Sequence, residues 1–153
     1  MDDDLLRRVE RLETESALAR LVHDYCHGLD RRDMDRYLSI WHRDAIFTTN
    51  TEFGNFVGIA EIERGVRENM WPAFRATHHW TVNFVADINE DTATGLSNLT
   101  HQGVTADGVA MIVAATYHDQ FGLFDGRWLI TNRSIETHHF APLPDVDWSI
   151  PSV

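Results

Sequence analysis

Cysteine, proline, basic charge and long apolar runs are all scarce in this chain, and each scarcity excludes a class of protein. The one cysteine, Cys26, cannot close an intrachain disulfide or supply a zinc-type cysteine pair, so packing must hold the fold, as suits a reducing compartment. Thirteen basic residues against 24 acidic ones leave a net charge of −11, a field that repels phosphate backbones and anionic headgroups. No apolar run approaches the roughly 20 residues that span a bilayer. The opening Met1-Asp2-Asp3-Asp4 is the reverse of a basic secretory start. The expectation is a cytoplasmic protein with no nucleic-acid or membrane partner. There is no internal repeat and no low-complexity tract. At 153 residues, 43% of them hydrophobic, the chain can bury a single core.

What is present is ordered as helices first and strands second. Leu5, Val9, Leu12, Leu18, Leu21, Val22, Tyr25 and Leu29 recur at spacings of mostly three and four, predicting one long amphipathic helix that stops near Gly28. Asp33 is placed to cap a short helix in which Tyr37, Leu38 and Trp41 share a face, and residues 45–50 read as a strand. A third helix starts near Gly58, with Ile59, Ile62, Val66 and Met70 as its stripe, and Pro72 forbids its simple continuation. From Thr77 onward the texture turns to Thr, Val, Ile, Phe and Trp, broken by turn signals at Asn89-Glu90-Asp91, Asp107-Gly108 and Asp125-Gly126. Four strands over 77–88, 93–104, 109–123 and 127–139 follow, joined as an antiparallel meander. The class is α+β, with a pocket expected where a curved sheet and straight helices cannot pack flush. A tail beginning at Ala141 has no regular pattern and carries Trp148 and Ile150, which read as exposed residues able to cross onto another subunit or lid the cavity.

Nine histidines are unusual for this length, and two neighbouring pairs, His78-His79 and His138-His139, fall in strands. Side chains alternate in a strand, so one member of each pair faces the helices at most. Alternation puts His78 with Trp80, Val82 and Phe84, and His79 with Thr77, Thr81 and Asn83, which favours His78 for the drier side without settling the register. There is no H-E-x-x-H helix, and strand neighbours diverge rather than chelate, so no metal and no other cofactor is expected. Asp30 lies just past the expected helix stop, where a carboxylate can turn inward. Arg133 sits in a strand, where a cation is costly unless paired or functional. Trp41, Phe47, Phe53, Phe56, Met70, Trp71, Phe74 and Met111 are candidates to line a pocket for a small cyclic hydrophobic molecule.

Three segments, 30–47, Met70-Trp71-Pro72-Ala73-Phe74 through His79, and Arg127-Trp128 through Arg133 to Phe140-Ala141-Pro142-Leu143, together resemble the SnoaL-like branch of the nuclear transport factor two-like superfamily. The likeness is closest to its γ-hexachlorocyclohexane dehydrochlorinases, and looser to its scytalone and bile acid 7α-dehydratases. It implies a cone-shaped α+β barrel over residues 1–143, in which a strongly bent antiparallel sheet wraps N-terminal helices around an internal cavity, with an irregular tail over 144–153. It also implies a homotrimer. The family's aspartate–histidine base falls on Asp30 and His79, and its cavity arginine on Arg133. Tyr25 stands where the dehydrochlorinases have lysine, and Phe47 where they have tryptophan, which points away from halide loss. Tyrosine five residues before the aspartate matches the bile acid dehydratases, and His101 resembles the second histidine of scytalone dehydratase. The implied function is a cofactor-independent, dehydratase-type β-elimination with Tyr25 and His101 available to supply a proton. Dehydrohalogenation, ketosteroid-like isomerisation, polyketide cyclisation, or a non-catalytic role as a binding module or dioxygenase small subunit are the alternatives on the same fold.

Overall fold

The computed structural model describes residues 3–51, 53–146 and 148. Helix α1 (Asp3–Asp30) is followed by α2 (Met34–Leu38), β1 (Trp41–Thr48), β2 (Asn55–Val57) and α3 (Ile59–Gly65). A π-helical turn (Val66–Met70) leads into α4 (Trp71–Ala73), and four long strands complete the chain: β3 (Phe74–Asn89), β4 (Thr92–Thr105), β5 (Ala110–Phe124) and β6 (Arg127–Leu143). One six-stranded, curved and unclosed sheet runs in the order β2-β1-β6-β5-β4-β3. The helices lie against one face of it, giving the α+β cone.

Helix α1 runs past Gly28, because that glycine is a point of close approach and not a stop. A Cβ there would lie 2.7 Å from Tyr37 Cβ and 2.9 Å from Tyr37 Cα, so only glycine lets α2 cross at this height. The turn comes at Arg32, whose φ of 54° is left-handed. The helix is about 42 Å long at 1.5 Å per residue, more than the sheet can cover. Leu5, Val9 and Leu12 are therefore exposed, and the buried stripe begins at Leu18. Asp33 does cap α2, accepting from the Arg36 N–H at 3.1 Å. Trp41, expected on that helix, instead opens β1.

The four long strands form the expected antiparallel meander. Two features lay outside that expectation. Strand β1 pairs with β6 in parallel, through Phe47↔Arg133 and its neighbours, and the three-residue β2 was not anticipated. Strand β6 also continues through Ala141, Pro142 and Leu143, which pair with Ile112, Met111 and Ala110, so the start of the expected tail belongs to the sheet. Trp148 is half-buried rather than exposed, and Ile150 lies outside the described residues.

A β-bulge in β3 decides which histidine faces inward. Val82 pairs with Asn98 and Val85 with Leu96, so two residues of β3 oppose one of β4, and Asn83 takes a left-handed φ of 56°. The bulge reverses the alternation: Thr77, His79 and Thr81 point inward before it, and Phe84, Ala86 and Ile88 after it. Strict alternation had grouped Phe84 with His78. His78, Trp80 and Val82 are on the outer face.

Candidate active site

The end of α1 is tied to the start of β3 by three bonds. Trp71 Nε1 donates to the Leu29 carbonyl at 3.2 Å, and Arg32 Nη2 donates to the carbonyls of Trp71 at 3.2 Å and Phe74 at 3.0 Å. This clamp sets Asp30 against Thr77 and His79. The carboxylate accepts from Thr77 Oγ1 at 3.0 Å and from the His79 backbone N–H at 2.8 Å, and its Oδ1 meets His79 Nδ1 at 2.5 Å. Both side chains are almost enclosed, at 12% and 10% exposure. Burial alone would push the Asp30 carboxyl up, but the bond and charge of His79, with the backbone and Thr77 donors, hold it below the usual carboxylate range. With Asp30 ionised, Nδ1 carries the imidazole hydrogen, and Nε2 presents its lone pair.

His79 forms part of the wall of a cavity of about 400 Å³ between the helices and the inner sheet face. Of the apolar candidates, Phe47, Phe53, Met70, Trp71, Phe74 and Met111 line it. Trp41 and Phe56 do not. Trp41 is 3% exposed and packs edge-on against Tyr25, while Phe56 is 4% exposed and fills the space beside Gly65, where a Cβ would fall 2.3 Å from its ring. Both belong to the core beneath the cavity wall.

His101, paired opposite His79 across β3 and β4, stacks on it with ring centroids 4.5 Å apart and meets Phe74 edge-on. Burial, reinforced by His79, pushes His101 down to about 3, so the ring is neutral, and its buried Nε2 has no hydrogen-bond partner. Tyr25 also lines the cavity, its ring perpendicular to that of His79 at 6.2 Å.

Arg133 does not reach the cavity. It has no exposed surface, is bound by Asp119 through Nε and Nη2 at 2.7 Å each, and lies beneath the rings of Tyr25 and Tyr117. The expected cavity cation is thus separated from any occupant by two phenol rings. Tyr117 and Asp119 were not anticipated from the sequence, and Thr77 was placed on the face of His79 without a role. The signal was there: Ala115, Tyr117, Asp119 and Phe121 share one parity of β5, and a carboxylate on an otherwise apolar strand face asks for a partner. Among the described residues no group of three or more His, Cys, Asp or Glu is placed to hold a metal ion, and no helix is long and apolar enough to cross a membrane.

An oriented imidazole at the wall of an apolar cavity is the arrangement the resemblance implies, and the SnoaL-like domain family matches residues 10–134. The chain belongs to that family. γ-Hexachlorocyclohexane dehydrochlorinase of Sphingobium indicum is 26% identical over 145 residues, covering 94% of this chain and 92% of that protein. A solved hexachlorocyclohexane dehydrochlorinase of type 2 superposes with a TM-score of 0.90 at 24% identity, covering 95% of this chain and 99% of that one. A protein of Novosphingobium aromaticivorans provisionally named scytalone dehydratase superposes at 0.77 with 19% identity, over 93% and 92% of the two chains. These last two likenesses establish the fold of this SnoaL-like protein and not its chemistry.

Proposed function

We propose that this SnoaL-like protein is a cofactor-independent lyase that removes water from a small, uncharged cyclic substrate, with His79 as the general base. The observation that carries the reading is the 2.5 Å contact between Asp30 Oδ1 and His79 Nδ1 at the wall of an apolar cavity. His79 Nε2 takes a proton from carbon, and Asp30 stabilises the imidazolium that forms. Hydroxide is a poor leaving group and must be protonated as its bond to carbon breaks. Tyr25 is the donor in this reading. Its hydroxyl is pushed up to about 12, which keeps it protonated at neutral pH yet leaves it more acidic than water. His101, neutral and stacked on His79, supports the base ring from the neighbouring strand.

A second reading, dehydrohalogenation, is favoured by the 26% identity to γ-hexachlorocyclohexane dehydrochlorinase. It requires no acid, because chloride leaves as a stable anion. The two separate in one assay. Cyclic β-hydroxy ketones and γ-hexachlorocyclohexane are offered in turn, and conjugated-enone absorbance and chloride release are followed. Enone formation that disappears in Tyr25→Phe supports dehydration, whereas chloride release unaffected by Tyr25→Phe replaces it with the second reading. Isotope exchange at carbon without release of either group would overturn both in favour of an isomerase. Cytoplasmic location and a homotrimer complete the reading. The buried reduced Cys26 is compatible with the first, and exposed apolar residues on the outer sheet face support the second.

A further inference from the structure

Arg133 is sealed in the core, and one of its donors is idle. Asp119 binds Nε and Nη2, but Nη1 is buried without a partner. The guanidinium carbon lies 4.1 Å from the centroid of the Tyr25 ring and 4.3 Å from that of Tyr117, and the two tyrosines pack at 5.4 Å. Both tyrosines line the cavity, whereas Arg133 and Asp119 do not. A structural ion pair would be equally well served by any apolar cover. Here it is covered by the one phenol that stands beside the base.

We propose that Arg133 and Tyr117 are positioning residues that act through Tyr25, holding its hydroxyl as the proton donor to the leaving group and stabilising the tyrosinate it becomes. This rests on the reading of the site as an elimination centre, and deepens it by separating the residue that touches substrate from those that tune it. In the step, His79 Nε2 takes the proton from carbon, and the electrons of that C–H bond form the new double bond. The C–O bond breaks, and the departing oxygen takes the Tyr25 proton to leave as water. Tyrosinate and imidazolium remain, and the proton passes from the second to the first through solvent when product departs.

The surroundings of Tyr25 agree with this. Burial pushes its hydroxyl up, and Cys26 on α1 and Asp119 on β5 add to that, while Arg133 and the neighbouring Tyr117 pull it back to about 12. Tyr37 on α2 and Tyr117 on β5 are raised further, so Tyr25 is the phenol of the three that ionises first. The remaining facing group is His79 on β3, whose Asp30 partner keeps the imidazolium it forms beside Tyr25 compensated.

The test replaces Tyr25 by 3-fluorotyrosine in the full chain and follows its ionisation by fluorine NMR without substrate. Tyr117→Phe is expected to raise the ionisation pH of residue 25 by one unit or more, and the paired Asp119→Leu/Arg133→Met to raise it further. The paired variant removes both charges at once, so neither is left buried and uncompensated. In turnover by Tyr117→Phe carrying the natural Tyr25, kcat should fall at least tenfold with KM changed less than threefold. Ionisation unmoved in Tyr117→Phe overturns the proposal, even if the paired variant does not fold. The NMR readout needs no turnover and is therefore also available in His79→Ala. A shift seen there, in a protein whose unsubstituted form eliminates neither water nor halide, would sink the elimination reading and leave the tuning of Tyr25 standing.

Discussion

At the scale of the residue, the proposed base and its proposed orienting acid make separable predictions. His79→Ala should lower turnover at least about 100-fold, the usual worth of a positioned general base, with a melting temperature close to that of the parent. Asp30→Asn should also lose turnover, but with a stability signature of its own. The carboxyl is held low in the folded state, so its contribution is present above about 3.9 and is lost as pH falls below that value. The asparagine variant should lack that acid-side loss in a urea titration. His101 acts in a different window. Folded, it is pushed down to about 3 by burial, whereas unfolded it titrates near 6.5. The unfolded chain therefore binds more protons between those values, and stability declines as pH is lowered through them. His101→Phe, which keeps the stack on His79 and Phe74, should flatten that decline. An unfolding free energy that still falls as steeply from pH 6.5 to 4 would show that His101 is not held neutral. The choice of Asp30 and His79 came from the family resemblance: strand alternation favoured His78 for the drier face, because the bulge at Asn83 that sets the parity is not visible in spacing. Arg133 was noticed for the right reason, its cost, but burial under two rings is a three-dimensional fact that no spacing encodes.

At the scale of the element, helix and strand types followed from periodicity, and the errors cluster where backbone geometry departs from it. The bulge at Asn83 is the consequential case. It shifts parity by one residue, so the same strand buries His79 on one side of it and Phe84 on the other. Deleting Asn83 should turn Thr77, His79 and Thr81 outward relative to the rest of β3 and abolish turnover while strand content, read by circular dichroism, persists. Asn83→Val, which puts a β-branched residue at a φ of 56°, should cost about 1–3 kcal/mol in chemical unfolding, and Asn83→Gly should cost little. Gly28 was read as a stop because glycine favours helix ends, yet it serves the crossing of α1 by α2. Helix propensity alone favours alanine there by about 1 kcal/mol. The 2.9 Å approach to Tyr37 backbone cannot yield, so Gly28→Ala should destabilise by roughly 1–3 kcal/mol and shift α2.

At the scale of the whole molecule, the inner face of the sheet accounts for the core and the cavity, and the outer face is left to be explained. Trp80, Val82, Val85 and Leu96 stand at 52%, 55%, 61% and 44% exposure on neighbouring strands β3 and β4. Residues of this kind on adjoining strands are a patch that a monomer does not need. A subunit carrying −11 charges gains solubility from its charge, so the patch is not a remedy for poor solvation. If it is the contact surface of the proposed homotrimer, light scattering should give about three times the 17.6 kDa of one chain. Val85→Glu, on the outer face and away from the cavity, should reduce that mass to a single chain's without altering the Asp30–His79 contact. A chain ending at Leu143 tests the other route to assembly, since β6 and its pairing with β5 remain whole. Loss of the trimer in the truncated chain but not in Val85→Glu would transfer the contact from the sheet face to the residues beyond β6.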